Sequence, residues 1–268
     1  MIRQIDYQDY QRALEFDQRV SRMPALQSLT KVLINELNPQ ESDKVLDVGT
    51  GTGRLGLVVS KMVPKGFVTG IDSGYGMLRV ARDKTSKSQT GNFLLVLGNA
   101  ETLPFLPEVF DSVCLMLSFH HFTDPERAMV EIYRVLRPKG HLASLDPVLK
   151  EAVDEEGKRL NEAIEEAFQL AHGPAFRFFT IPELRGLYGS AGFSIDACQA
   201  HDISFDQVGF DEIPMGPHWL QAYELLRFRR EKGLVRRFEE DYFALRRTGE
   251  ELLVKGKMSW VAMKAVKG

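Results

Sequence analysis

The middle of the chain alternates between short apolar runs and amphipathic stretches. The apolar runs predict strands at residues 44–48, 67–71, 93–97, 112–117 and 141–145. Apolar residues at helical spacing predict helices between these strands, at residues 54–62, 76–84 and 125–136. This alternation is typical of βαβ units, which build a parallel sheet with helices on both faces. The carboxyl ends of the strands then lie at one edge, where open α/β sheets bind their ligands.

The two flanks of this region have looser patterns. Before it, residues 6–37 have helical periodicity that Pro24 interrupts and that ends at Asn38 and Pro39. After it, elements are predicted at residues 151–170 (helix), 181–191 (helix), 193–200 (strand), 219–230 (helix), 234–247 (helix) and 258–266 (strand). Because no repeat or low-complexity tract divides the chain, we expect one globular domain with helical additions.

Composition narrows the function classes. The 268 residues are 44% hydrophobic and 26% charged, which is ordinary for a globular protein, and the net charge of −3 argues against nucleic-acid binding. Cys114 and Cys198 lie in apolar strand-like runs, so neither a disulfide framework nor a metal site is expected. The sequence has no apolar run long enough for a membrane span and no apolar leader-like start, so a cytoplasmic protein is expected.

Residues 45–53 (VLDVGTGTG) are the most informative motif, a strand that reaches Asp47 and then breaks into a glycine turn. Glycines at alternate positions permit positive φ and let a ligand lie against bare main chain. Residues 51–56 fit the dinucleotide pattern G-x-G-x-x-G, with Asp72 about 20 residues later. However, a pyrophosphate at this helix N-terminus would be repelled by Asp47, whereas a cationic ligand would not. A tight turn without a ligand is the third interpretation.

Three further motifs follow in order. Residues 71–72 end the second strand in an acid, residues 98–105 read GNAETLPF, and residues 134–140 read RVLRPKG. Together with residues 47–53, they resemble the motifs of class I S-adenosylmethionine (SAM)-dependent methyltransferases of the type 11 group. Within that group, the form of the GNAE segment is similar to the ubiquinone/menaquinone-biosynthesis methyltransferases. The resemblance covers roughly residues 43–147.

The resemblance implies a fold and a reaction. The fold would be α/β, a Rossmann-like seven-stranded sheet, mostly parallel with the last strand antiparallel, and with helices on both faces. Its parts would be a helical lid (residues 1–42), a SAM-binding core (residues 43–147) and the rest of the sheet (residues 148–268), with a helical cap at residues 202–256. The reaction would be in-line displacement that moves the methyl group of SAM to a small or medium organic acceptor and releases S-adenosylhomocysteine (SAH).

The resemblance also implies which residues bind SAM. Asp47 and the glycine turn would hold the amino-acid half, Asp72 would accept hydrogen bonds from the two ribose hydroxyls, and Leu117 would lie beside the sulfonium. Residues 99 and 100 would meet the adenine. The full set of expected cofactor contacts is Asp47, Gly49, Thr50, Gly51, Gly53, Asp72, Ser73, Met77, Asn99, Ala100, Glu101, Leu117 and Ser118.

His120 and His121 are the candidate catalytic residues, since a neutral imidazole can take a proton from the acceptor. Methyl transfer depends largely on holding donor and acceptor in line, so an ordinary loop is the alternative interpretation. His120 stands where the quinone enzymes usually have Arg in an L-R-N triplet, and this difference argues against a quinone-type acceptor. Other candidate acids and bases are Tyr10, Asp146, His172, His201 and His218.

Two other functions stay open at this point: an NAD(P)-dependent oxidoreductase and a non-catalytic SAM-binding module. The aromatic side chains of residues 202–256 have three interpretations: they close an acceptor pocket, form a homodimer face, or pack on the sheet. The expected partner is a small-molecule acceptor, with neither nucleic acid nor a membrane span.

Overall fold

The computed structural model describes residues 6–88 and 90–268; residues 1–5 of the predicted lid lie outside the described residues. In this part of the chain, eight strands form one sheet with the order β3-β2-β1-β4-β5-β8-β6, and β7 pairs with β8. The strands are β1 (Lys44–Val48), β2 (Phe67–Asp72), β3 (Phe93–Leu97), β4 (Phe110–Met116), β5 (Leu136–Val148), β6 (Phe193–Val208), β7 (Phe243–Thr248) and β8 (Glu251–Lys267). Strands β1 to β5 pair in parallel, and β8 runs antiparallel to β5, β6 and β7.

Helices cover both faces of the sheet. They are α1 (Tyr10–Ser21), α2 (Pro24–Leu37), α3 (Arg54–Met62), α4 (Tyr75–Ser88), α5 (Pro125–Val135), α6 (Glu155–His172), α7 (Ile181–Ser190), α8 (Gly216–Phe228) and α9 (Lys232–Asp241). Successive strand residues point to opposite faces, so Val45 packs in the core with α2, α3 and α6 while Leu46 packs in the core with α5 and α7. The predicted parallel α/β core is therefore confirmed.

The sheet has one more strand than the seven predicted. Residues 243–247 were predicted as the end of a helix, but residues 243–248 form β7, which pairs with β8 through a tight turn at Gly249 (φ 64°). Local propensity favours a helix here because Leu245, Arg246 and Arg247 are good helix formers. The ladder to β8 overrides that propensity, since it satisfies the backbone of both strands.

The cap predicted at residues 202–256 is therefore part helix and part sheet. Strand β6 continues to Val208 and β8 begins at Glu251, so both extend into the predicted insertion and enclose α8, α9 and β7. The cap aromatics are buried against one another and the sheet, with the exception of Phe228, which is 85% exposed. This packing agrees with the third interpretation of these side chains.

Two features position the site. Pro24 stands at the first position of α2, where its missing N–H costs no hydrogen bond, so the N-terminal segment divides into two helices as predicted. Helix α1 packs on α4, beside the carboxyl ends of the strands.

Among the described residues, none of the helices combines the length and hydropathy that a bilayer crossing requires.

Candidate active site

The turn after β1 has the backbone geometry that its glycines predict. Gly49, Gly51 and Gly53 have φ values of 70°, 54° and 73°, which lie in the left-handed region that glycine adopts without steric cost. The N–H groups of Gly49 and Thr50 both donate to the carbonyl of Ile71, so the turn is fixed against β2. Gly53 is the N-cap of α3.

The buried side chain of Asp47 stabilises this turn by accepting hydrogen bonds from it. Its side chain is 1% exposed, and Oδ2 accepts hydrogen bonds from Thr50 Oγ1 at 2.6 Å and from the Gly56 N–H at 3.1 Å. Burial raises the pKa of this carboxyl to about 6, against the opposing effect of these hydrogen bonds. Asp47 thus holds the glycine turn closed on itself, and its contact with the amino-acid half of SAM stays a prediction.

Asp72 lies at the end of β2 with both carboxylate oxygens fixed. Oδ2 accepts from the Gly51 N–H at 2.8 Å, and Oδ1 accepts from the Gly74 N–H at 2.7 Å. Burial raises its pKa, and the two backbone hydrogen bonds oppose that rise. Each oxygen retains a lone pair, so the oriented carboxylate can accept two further hydrogen bonds from a vicinal diol such as a ribose.

The segment after β3 forms a polar wall. Asn99 Oδ1 accepts from the Glu101 N–H at 3.2 Å, while Glu101 Oε1 accepts from the Thr123 N–H at 2.9 Å. Glu101 Oε2 is buried and has no hydrogen-bond partner among residues 6–88 and 90–268. A buried acceptor without a partner is costly, and an amino group of a bound ligand would satisfy it.

The segment after β4 closes over the turn. Leu117 has a φ of 55°, and its N–H donates to the carbonyl of Leu145. Ser118 Oγ donates to the carbonyl of Val48 at 3.0 Å, and the Ser118 side chain fills the space that a side chain at Gly49 would need. The two loops therefore interlock.

The close contact between Gly49 and Ser118 predicts that a methyl group added at Gly49 destabilises the protein. A Cβ at Gly49 would meet Ser118 Cβ at 2.4 Å on a backbone with positive φ. We expect Gly49→Ala to lower the free energy of unfolding by about 2 to 4 kcal/mol, measured by urea denaturation. The double variant Gly49→Ala with Ser118→Gly should recover part of this loss. Gly186→Ala, in α7 with nothing within 4 Å, is the control; full additivity of the two substitutions would contradict the clash.

A cavity of about 400 Å³ lies along this edge of the sheet. All the expected cofactor residues except Gly53 line it, and both candidate histidines do too. Gly53 instead packs on Ala81 and Phe93, which leave little room for a Cβ. The structure thus brings together residues from the ends of β1, β2, β3 and β4, as the parallel topology requires.

One end of the cavity is lined by histidines, and we call it the histidine chamber: His120, His121, His172 and His218. His120 Nδ1 lies 2.8 Å from Asp146 Oδ1, and both side chains are buried. Burial raises the pKa of Asp146 and lowers the pKa of His120, because each charged form is poorly solvated there. Nε2 of His120 makes no hydrogen bond within the described part of the chain. The pair has the geometry of an imidazole oriented by a carboxylate.

The other histidines are joined through a lid residue. Tyr7 OH lies 3.1 Å from His172 Nδ1 and 3.5 Å from His121 Nε2, and His172 Nε2 lies 3.3 Å from His218 Nδ1. Burial lowers the pKa of these three histidines, so they are neutral at pH 7. In the described residues, they are not part of a group of three or more side chains that could hold a metal ion.

Several lining residues carried no signal in the sequence. Met215 precedes α8 in the cap, Met23 and Leu26 belong to the α1–α2 segment, and Arg54 begins α3. Of the other candidate acids and bases, Tyr10 OH donates to Asp83 and His201 lies on β6, so neither lines the cavity. The N-terminal helices and the cap both reach the same edge of the sheet, and only the tertiary structure shows that their residues line the cavity there.

Asp17 of helix α1 accepts hydrogen bonds from the glycine turn and from α4. Asp17 Oδ1 accepts from Thr52 Oγ1 at 2.5 Å and from Lys84 Nζ at 2.7 Å. Gln8 adds a reciprocal pair, donating to the Ser73 carbonyl and accepting from the Tyr75 N–H. The lid therefore lies over the cavity, with contacts on two sides of it.

Comparison with known proteins agrees with this geometry. A family model described as a methyltransferase domain matches residues 39–226. The chain belongs to the methyltransferase domain family. The prediction of a class I SAM-dependent methyltransferase domain is confirmed, and the dinucleotide interpretation of the turn is set aside.

The relatives of this methyltransferase domain include quinone-biosynthesis proteins. The chain is 30% identical over 176 residues to the ubiquinone/menaquinone biosynthesis C-methyltransferase UbiE of Wigglesworthia glossinidia brevipalpis, covering 63% of this chain and 64% of that protein. It is 37% identical over 114 residues to the demethylmenaquinone methyltransferase of Thermotoga maritima, covering 42% and 46%. The chain thus spans less than two thirds of the length of these curated relatives.

A solved structure with the same fold is the YcgJ protein of Bacillus subtilis. It superposes with a TM-score of 0.72 at 20% sequence identity, covering 90% of this chain and 98% of that one. This likeness extends beyond the motif region, so the sheet and most of its flanking helices belong to the same architecture.

Proposed function

We propose that this protein transfers the methyl group of SAM to a small or medium organic acceptor bound in the histidine chamber, and releases SAH. The observation that carries the proposal is the single cavity that joins the expected cofactor residues to that chamber. Such a cavity can hold a donor and an acceptor together in one space, which is the main requirement of an in-line displacement.

The residues along the sheet edge fit SAM. The cofactor supplies a methyl group on a sulfonium, which is already activated toward a nucleophile. Asp72 is oriented for the ribose hydroxyls, and the partnerless Glu101 Oε2 is an acceptor beside the segment expected to meet adenine. Asp47 keeps an acidic group under the turn that faces the cationic half.

Within this proposal, His120 is the general base. With the carboxylate of Asp146 as the acceptor, His120 Nδ1 donates and Nε2 keeps the lone pair that receives a proton from the acceptor. The low pKa of His120 keeps the imidazole neutral at pH 7, so it is available as a base. This role requires that the acceptor atom carries a proton, which His120 removes as the atom is methylated.

The relatives point to quinone-type acceptors through their names, but His120 of the chamber stands where the quinone enzymes usually have Arg in an L-R-N triplet. We therefore propose an acceptor class, small organic molecules with an acidic O–H, N–H or C–H, without restricting it to quinones. A cytoplasmic location and a homodimer through the cap stay predictions.

The lid and the cap are proposed to exclude water from the cavity. Phe16, Val20 and Met23 from the lid segment and Pro214 and Met215 from the cap line it with apolar surface. Removing water strengthens the electrostatic interactions inside and prevents solvent from competing with the acceptor.

Calorimetric titration with SAM, SAH and NADH in parallel tests the cofactor assignment. We expect micromolar binding of both adenosyl ligands and no heat from NADH, because the turn offers a carboxylate where a pyrophosphate would lie. Binding of NADH alone would overturn the proposal. Once SAM binding is established, screening acceptors for SAH release separates an enzyme from a non-catalytic SAM-binding module.

A further inference from the structure

Arg19 places a positive charge on the lid side of the cavity. It belongs to α1, it lines the cavity, and it is exposed. Among the residues that the structure describes, no carboxylate forms an ion pair with its guanidinium. Asp17, on the same helix, accepts instead from Thr52 and Lys84. The donors of Arg19 are therefore available to a ligand in the cavity.

The charge of Arg19 acts on the histidine chamber. Burial raises the pKa of Tyr7 and lowers the pKa of His172 and His218, and it is the largest effect on each. The positive charge of Arg19 adds a smaller effect that lowers all three. The other arginine of the cavity, Arg54, begins α3 beside the glycine turn. Arg19 is therefore the cation of the chamber.

The chamber has no acid on its surface, within the described residues, to offset this charge. The acids that line the cavity are Asp47, Asp72 and Glu101, which lie at the ends of β1, β2 and β3 on the cofactor side. Asp146 is buried and bonded to His120, outside the cavity lining. The surface of the chamber therefore carries a positive charge, which an acceptor with one negative charge would balance.

A chain of hydrogen bonds orients a second donor in the chamber. Tyr7 OH lies 3.1 Å from His172 Nδ1, and His172 Nε2 lies 3.3 Å from His218 Nδ1. The alternative acceptor of the Tyr7 proton, His121 Nε2, is farther away at 3.5 Å. A phenol is a stronger acid than a neutral imidazole, so Tyr7 donates to His172, which in turn donates to His218.

These hydrogen bonds assign the remaining proton of His218 to Nε2. This nitrogen has no hydrogen-bond partner among residues 6–88 and 90–268. His218 is 4% exposed and lines the cavity. Its N–H is therefore a buried donor that a ligand in the chamber would satisfy.

A carboxylate fits these two donors. The guanidinium fork of an arginine matches its two oxygens, and a neutral imidazole N–H adds a hydrogen bond without adding charge. A phosphate monoester carries about 1.5 to 2 negative charges at pH 7, and part of that charge would stay unpaired in the chamber. Phe16, Met23 and Met215 line the cavity with apolar surface, which suits a carbon skeleton.

We propose that the acceptor is an organic acid whose carboxylate binds Arg19 and the Nε2–H of His218, while a separate O–H, N–H or C–H group meets His120. This inference rests on the proposed methyl transfer and narrows its acceptor class. His120 takes the proton of the atom that gains the methyl group from SAM, SAH is released, and the carboxylate is unchanged. The sulfonium of SAM is a cation, so it also attracts an anionic acceptor.

Matched pairs of ligands test the role of the charge. The probes are 4-hydroxyphenylacetate and 3-(4-hydroxyphenyl)propanoate, each compared with its primary amide by calorimetry on the full chain saturated with SAH. In the wild type, we expect at least one acid to bind about 5- to 50-fold more tightly than its amide, as for a charge-assisted pair at an exposed arginine. In Arg19→Gln this preference should fall below about threefold, because only the neutral donor remains.

Variants of His218 test the second donor. His218→Phe removes the N–H and should lower the preference for the acid, though less than Arg19→Gln does, because the charge remains. His218→Gln can donate from its side-chain amide and should keep more of the preference than His218→Phe. Equal preferences in these two variants would remove His218 from the proposed site.

Arg22→Gln is the matched control for Arg19. It removes an exposed charge from the end of the same lid helix, outside the cavity lining, and should keep the wild-type preference. The proposal is overturned if neither acid binds the wild type more tightly than its amide, or if Arg19→Gln keeps the full preference. Both results leave the binding of SAH intact, whereas failure of SAH to bind the wild type would refute the use of SAM itself.

Discussion

Replacement of His120 by alanine should lower the rate of methyl transfer by about 10²- to 10⁴-fold while leaving the affinity for SAH within about twofold. The reason is the position of the imidazole, which lies 2.8 Å from a buried carboxylate on one side and lines the cavity on the other. Without it, the proton of the acceptor has no oriented base to receive it. The rate of SAH formation, with an acceptor found by screening, measures the effect.

His121→Ala is the matched comparison for this prediction. His121 lines the same chamber and is half-buried, but its ring nitrogen faces Tyr7 at 3.5 Å, and no carboxylate of the described residues hydrogen-bonds to it. We expect a loss of less than about tenfold, since orientation by a carboxylate is a large part of the effect of a base. Equal losses in both variants would show that the chamber only packs on the acceptor.

The pH dependence of the reaction gives a second readout. Burial lowers the pKa of His120 below its usual 6.5, so the base form is populated throughout the neutral range. The rate of the wild type should therefore stay level as the pH falls from 8 through 6.5, instead of halving near 6.5. Asp146→Asn should lower the rate at every pH in this range, because the amide no longer selects the tautomer with the lone pair on Nε2.

Replacement of Asp72 by alanine should weaken the binding of SAM and SAH by about 2 to 4 kcal/mol, which is about 30- to 1000-fold. Its carboxylate is held by the N–H groups of Gly51 and Gly74 and can accept two further hydrogen bonds from ribose hydroxyls. Alanine removes both of these ligand contacts and leaves the Gly51 N–H without its acceptor. Calorimetry with SAH measures the change.

Two variants separate charge from position in this prediction. Asp72→Asn keeps one oxygen acceptor and should lose less affinity than the alanine variant. Asp196→Ala removes an exposed carboxylate from β6 and should bind SAH as the wild type does. An unchanged affinity in Asp72→Ala would contradict the assignment of this residue to the ribose.

The cofactor side of the site could be predicted from the sequence because its residues are local to strand ends. Asp47, Asp72 and Asn99 each follow a short apolar run, and parallel topology places the ends of such runs at one edge. Gly53 is the exception, since it supports the start of α3 and packs away from the cavity. A motif identifies a turn reliably, but which of its residues face the ligand depends on the path of the backbone.

The prediction was wrong where pairing with a neighbouring strand outweighs local helix propensity. Residues 243–248 contain good helix formers, yet they pair with β8 across the turn at Gly249. The same pairing extends β6 and β8 into the cap, so the predicted two-helix insertion is shorter than expected.

The sequence by itself determined the parallel core, the family and most of the residues that line the cavity at the strand ends, because periodicity and turn chemistry act over a few neighbouring residues. Only the tertiary structure decided the acceptor side. Tyr7, His120, His172 and His218 are far apart along the chain, and Asp146 is recognisable as the partner of His120 only at 2.8 Å. Four elements meet there, the lid, the loop after β4, α6 and the cap, because each buries an apolar face over the same end of the sheet. Burial in turn lowers the pKa of all four histidines.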